Sequence, residues 1–152
     1  MSTRGQPLLA GEAHGPALVL DEPLSFWGGF DAGSGRIVDR RHPQAGEDAR
    51  GRILAMPFGR GSSSSSSVLA EAVRLGTAPA AVLLLAPDEI VVLGLLVGEE
   101  LYGRTVPVVV VDKRDFGTIR TGDSVAIRAD GEVVVTAVPD RDDRPAQSEK
   151  GR

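Results

Sequence analysis

At 152 residues and a net charge of −4, the chain suffices for one domain with a real core, and its pI of about 5.2 argues against a nucleic-acid or anionic-membrane partner. Cysteine is absent, which excludes disulfides, a cysteine nucleophile and thiolate ligation of zinc or an iron–sulfur cluster by this chain. The 19 glycines and 10 prolines imply many tight turns, and with aromatics at 4% the packing falls to valine and leucine.

Residues 1–15 are polar and glycine-rich, lack a basic-then-apolar leader pattern, and read as a disordered lead-in; the domain is expected to run from 16 to 138. A short strand is expected at Ala17–Leu20. Leu24 to Phe30 follows, with Trp27 beside Gly28 and Gly29. On its own this stretch favours a bulge under a core tryptophan; the alternative is a strand end where the backbone must approach something closely. The polar loop from Asp39 to Asp48 carries His42. With no second histidine or cysteine near it, His42 reads as a loop hydrogen-bonding residue rather than a metal ligand, and His14 falls in the presumed lead-in.

Arg52 to Pro57 reads as a buried strand. It is followed by Gly59-Arg60-Gly61 and six serines, and then by a helix with apolar residues at 68, 69, 72, 73 and 75. Two readings of the serine run stand. One is a low-complexity linker. The other is an ordered turn whose glycines permit close approach, whose serine caps the helix, and whose free amides hold a carboxylate or phosphate. The run is short and is flanked directly by strand and helix, which favours the second. No Gly-Lys-Ser/Thr follows, so it is not a Walker loop.

Ala80 to Ala86 is a near-continuous apolar run of the kind found in parallel sheets. Asp88 looks like the N-cap of a helix running to Tyr102, with apolar positions from Ile90 to Val97 wrapping nearly all round and so deeply buried; a strand competes, and length favours the helix. That stretch is also the longest mostly apolar one, and it is too short to span a bilayer. With a strand at Thr105–Val111, residues 52–111 form a βαβαβ unit with right-handed crossovers. Ser124–Arg128 and Glu132–Thr136 flank an Asp130-Gly131 hairpin turn, and residues 139–152 read as a disordered charged tail.

Pro23-Leu24-Ser25-Phe26-Trp27-Gly28-Gly29, Asp31, Gly35-Arg36-Ile37, His42-Pro43, Gly59-Arg60-Gly61 with its serines, Ala78-Pro79-Ala80-Ala81, Glu99-Glu100-Leu101-Tyr102-Gly103 and Thr121-Gly122-Asp123 recur in order. Over residues 17–136 the chain resembles the small subunit of the aconitase X family. The resemblance implies an α/β fold: a swivelling β/β/α domain, a partly parallel sheet with crossover helices plus an antiparallel layer. It implies a cytoplasmic hydro-lyase acting on a small β-hydroxy acid such as mevalonate 5-phosphate or cis-3-hydroxy-L-proline. The expected partner is a large subunit, in a heterodimer or higher assembly, that carries the iron–sulfur cluster, so that no cofactor is held by this chain.

By the same resemblance Ser62, directly after the glycine, is the base that takes the carbon-bound proton. Ser63, Arg60, Gly61, Gly28 and Gly29 are its substrate-binding neighbours. The arginine that follows the two serines elsewhere in the aconitase superfamily is missing, with Ser64 in its place. Serine is a poor base unless its alkoxide is stabilised, which helix-head amides and Arg60 can do; Arg60 can alternatively clamp a substrate anion. Ser65, further into the helix, is expected only to support the first turn. The rival reading is a non-catalytic anion-binding or carrier-type swivelling domain. A carrier needs a phosphorylatable histidine in a glycine-rich turn, which His42 before proline fits poorly.

Overall fold

Strands β7 (Ile53–Met56) and β9 (Ala81–Leu84) are buried at every position, as continuous apolar runs must be when both faces of a sheet are covered. They pair in parallel from Ile53↔Ala81 to Met56↔Leu84. Strand β10 (Val108–Val110) continues the sheet beyond β9, also in parallel. The connections are α2 (Ser64–Leu75) and α3 (Glu89–Tyr102), so the expected βαβαβ unit is present. The computed structural model describes residues 1–60 and 63–139.

Period-two alternation sorts the side chains of this sheet into two cores. Leu54, Met56, Val82, Leu84 and Val108 cluster with Leu69, Val73, Val91 and Leu95 of the two helices. Ile53, Ala55, Ala81, Leu83 and Val109 cluster instead with Val125, Ile127, Val133 and Val135. Those last four belong to β11 (Ser124–Ile127) and β12 (Glu132–Thr136), the expected hairpin, which closes at Gly131 with φ +94°. The order of layers is therefore hairpin sheet, parallel sheet, helices: β/β/α.

The expected disordered lead-in is wrong. Residues 1–15 hold β1 (Ser2–Arg4), β2 (Gln6–Leu9) and the first half of β3 (Ala13–Val19). β1 and β2 are separated only by Gly5, yet β1 pairs with β12 and β2 with β10. They act as one bent strand joining the two layers. β3 makes the second join, pairing β11 through Ala13–Pro16 and β7 through Ala17–Val19. A boundary at residue 16 would cut β3 in two. Gly5 is required at the bend, because a Cβ there would sit 2.7 Å from the Val110 carbonyl oxygen and overlap Val109. His14 accordingly lies in a paired strand, opposite Ala126. The C-terminal tail assigned to 139–152 lies, from residue 140, outside the described residues.

Helix α3 begins as expected at Asp88 but is not buried all round. Its buried residues are Val91, Gly94, Leu95 and Gly98, whereas Leu93 and Leu96 are 51% and 38% exposed. An outer-layer helix has one face to cover, and here that face packs on α2 through glycines. A Cβ at Gly94 would lie 2.7 Å from the Ser66 carbonyl oxygen, and one at Gly98 would lie 2.7 Å from Val73 Cβ. The apolar run therefore supplied more hydrophobic surface than the fold buries.

The segment around Trp27 is organised by its phenylalanines. β4 (Leu24–Ser25) leads into α1 (Phe26–Gly29), a single turn broken at Trp27 (ψ 110°) and at Gly28 (φ +86°), and then β5 (Phe30–Asp31) pairs with β6 (Arg36–Ile37). Phe26 and Phe30 are buried edge to face with centroids 5.4 Å apart. The break turns Trp27 outward to 61% exposure, so the core-tryptophan reading fails. The last helical turn, α4 (Lys113–Phe116), is capped by Asp112 and precedes β11.

Candidate functional site

The site is built where β7 ends. After Met56 the chain forms β8 (Gly59–Arg60), which pairs in parallel with β4, Leu24 to Gly59 and Ser25 to Arg60. That pairing sets the Phe26–Gly29 turn beside the loop, and the turn packs on α2. Gly28 and Gly29 are thus neighbours of the loop. Their roles in the fold differ. Gly28 carries the positive φ, whereas Gly29 has a tight fit, with a Cβ there placed 3.2 Å from Leu24 Cδ1.

Gly61 and Ser62, the expected binding glycine and the expected base, lie outside the described residues. Of the serine run, Ser64, Ser65, Ser66 and Ser67 form the first turn of α2, so a linker does not divide the chain here. Ser63 has helical dihedrals, φ −60° and ψ −18°, and its side chain does not cap the helix. The expected serine cap is therefore not made at Ser63. Ser66 Oγ donates to the Ile90 carbonyl at 2.9 Å and ties α2 to α3. The Arg60 side chain has no hydrogen-bond or carboxylate partner among the described residues.

Asp88 fixes the loop from the other side. Its Oδ1 accepts from the amides of Ile90 and Val91 at 3.0 and 3.1 Å, which is the expected cap of α3. Its Oδ2 accepts from the Gly59 amide at 2.9 Å, a bond between the two crossover connections that a local reading does not reveal. Gly59 must be glycine, because a Cβ there would be 2.5 Å from that same oxygen. Ser65 is the other residue missed. It is 2% exposed and its Oγ has no hydrogen-bond partner, so it does not brace the first turn as expected.

His42 behaves as its loop reading requires. It is buried, Nδ1 accepts from the Gln44 amide at 3.0 Å, and Nε2 therefore donates to the Glu22 carbonyl at 3.0 Å. Among the described residues no group of three histidine, aspartate or glutamate side chains is placed to hold a metal ion, and no helix is long and apolar enough to cross a membrane.

A parallel sheet sandwiched between a hairpin layer and two helices, with a glycine–serine loop at the end of a central strand, defines a swivelling β/β/α domain. The family model for the aconitase X swivel domain matches residues 2–136, and the chain belongs to that family. It is 50% identical over 107 residues to the cis-3-hydroxy-L-proline dehydratase of Pseudomonas aeruginosa, covering 70% of this chain and 18% of that protein. It is 32% identical over 128 residues to the phosphomevalonate dehydratase small subunit of Methanocella arvoryzae, covering 84% of this chain and 92% of that subunit. The crystal structure of aconitase X from Thermococcus kodakaraensis, in its holo-form, superposes with a TM-score of 0.79 at 30% identity, over 89% of this chain and 98% of that one. The chain spans only about a fifth of the length of the hydroxyproline dehydratases it matches, at 18% and 21%.

Proposed function

We propose that this chain is the small subunit of a hydro-lyase that dehydrates a small β-hydroxy acid, and that it supplies the base to an active site completed by a large subunit. The observation that supports this reading best is the junction of β8 and α2. An arginine, Arg60, whose side chain has no partner among the described residues ends β8, and α2 begins four residues later, with the Gly61-Ser62 dipeptide between them in the sequence. Amides and a guanidinium so arranged favour negative charge.

In this reading Ser62 enters as the alkoxide, held by the α2 amides and Arg60, and takes the proton from the carbon beside the substrate carboxylate. The electron pair of that C–H bond becomes the new C=C bond as the neighbouring C–O bond breaks. The oxygen leaves as hydroxide and becomes water on taking up a proton, and the serine gives up the proton it removed, so that an unsaturated acid and water result and the alkoxide is restored. Ser63, Arg60, Gly61, Gly28 and Gly29 shape the space around the substrate, the last two by keeping the Phe26–Gly29 turn close to the loop.

The residues of this chain do not fit an iron–sulfur cluster: there is no cysteine, and the described residues contain no ligand cluster. The cluster is assigned to the partner, as is the handling of the leaving oxygen. Exposed Trp27 and Phe58, at 61% and 47%, flank the β4–β8 ribbon and form the face offered to that partner. A carrier role is disfavoured because both ring nitrogens of His42 are engaged inside a loop.

The test is reconstitution. The purified chain alone should turn over neither cis-3-hydroxy-L-proline nor mevalonate 5-phosphate and should hold no iron. Co-expressed with its large subunit, it should dehydrate one of them. Stoichiometric iron or turnover in the isolated chain contradicts the proposal.

A further inference from the structure

A helix N-cap needs one side-chain oxygen, and serine or asparagine supplies it as well as aspartate does. Asp88 meets that need with Oδ1 alone, which accepts from the amides of Ile90 and Val91. Its second oxygen is therefore surplus to the helix. Oδ2 accepts instead from the Gly59 amide at 2.9 Å, across 29 residues of sequence. A carboxylate acceptor makes this a charge-assisted bond, stronger than one between neutral groups.

What the bond holds is the short strand β8. Two residues long, β8 pairs only with β4, and just before it the Leu85 amide donates to the Pro57 carbonyl at 2.9 Å. Gly59 is pressed against the α3 head, where a Cβ would lie 2.5 Å from Asp88 Oδ2 and 3.1 Å from Val91 Cγ2. The next residue is Arg60, whose exposed side chain has no partner among the described residues. A guanidinium with no partner is placed by its backbone alone. Asp88 does not pair with it, because both carboxylate oxygens go to amides.

We propose that Asp88 is a positioning residue for the dehydration: by holding the Gly59 amide it fixes the backbone from which Arg60 reaches the substrate. This rests on the hydro-lyase reading above, in which Arg60 lies beside the substrate. The strap is anchored on a 14-residue helix packed into the core, so Arg60 is set against the rigid body of the domain and not against another loop. A displacement of about 1 Å in such a group can cost up to about a hundredfold in rate.

The experiment is a double-mutant cycle. Asp88→Ser keeps an oxygen to cap α3 but is too short to reach Gly59. In the isolated chain it should speed hydrogen exchange at the Gly59 amide about tenfold or more while Ile90 and Val91 stay protected. In the complete complex, with cis-3-hydroxy-L-proline and mevalonate 5-phosphate as substrates, it should lower kcat/KM about tenfold for the acid the wild type uses. Once Arg60→Ala has been made, the same substitution should change kcat/KM by less than about twofold, because it acts through Arg60. Asp112→Ala, which uncaps α4 instead, is the control for a weakened fold and should leave kcat/KM within about twofold of wild type. Equal losses from Asp88→Ser in both backgrounds overturn the proposal, as does a matching loss in the control. So does an unaltered Gly59 exchange rate, or an unaltered kcat/KM in Asp88→Ser or in Arg60→Ala. A wild-type complex that dehydrates neither acid while Asp88→Ser still releases Gly59 refutes the hydro-lyase reading itself, and the positioning role falls with it.

Discussion

Two helices follow parallel strands of the same sheet, and their heads are finished differently. At the head of α3 one aspartate satisfies two first-turn amides and reaches across to Gly59, so that terminus is closed by the chain's own groups. At the head of α2 Ser63 supplies no cap, Ser65 is buried without a partner, and Arg60 stands unpaired among the described residues. Buried polar groups are normally satisfied, and the exceptions require a reason. The difference teaches where stability was left incomplete. The α3 head holds the architecture, and the α2 head is where the proposed site lies.

The comparison can be sharpened from its structural side first. Deleting residues 1–9 removes β1 and β2, the bent strand that joins the two layers through pairings with β12 and β10. The largest loss is expected here: circular dichroism should show no cooperative melt. A transition within about 4 °C of wild type, on the order of 1 kcal/mol for a domain near this size, would mean the join is dispensable.

Asp88→Ala comes next. It removes the cap of α3 and leaves the Gly59 amide without its acceptor, an expected destabilisation of about 1–3 kcal/mol. Chemical denaturation of the isolated chain measures this. A change below about 0.5 kcal/mol would break the contrast between the two heads.

Trp27→Ala should have the smallest effect on folding, because the ring is 61% exposed. Its melting temperature should stay within about 2 °C of wild type while co-purification with the large subunit weakens, as truncating an interface aromatic commonly does. Unfolding of this variant would restore the core reading of the tryptophan.

What the sequence revealed follows the same division. β7 and β9 were legible because continuous apolar runs have one stable environment, and the α3 cap because an aspartate before a helix acts locally. The N-terminal strands were illegible because Ser-Thr-Arg and Gln-Pro-Leu-Leu lie at the joins between layers, where backbone pairing rather than an apolar face decides the structure. The burial of α3 was overread because Gly94 and Gly98, which fix the packed face, carry no hydrophobic signal. At the site, the loop was read from a strand–glycine–serine–helix pattern, and Arg60 and Ser63 came from the family resemblance. Ser65 was assigned a supporting role because burial within one face of α2 depends on α3 and on the Phe26 turn, which no local pattern contains. The second bond of Asp88 spans 29 residues and was hidden for the same reason.

The most direct measurement is the steady-state kinetics of the complete complex with Ser62→Ala, at saturating substrate. The account predicts a fall in kcat of about a hundredfold or more with KM little changed and the melting temperature of the isolated chain preserved, as expected when a general base is removed. A wild-type kcat with a raised KM would contradict it, making the α2 head a holder of the substrate and moving the base to the partner.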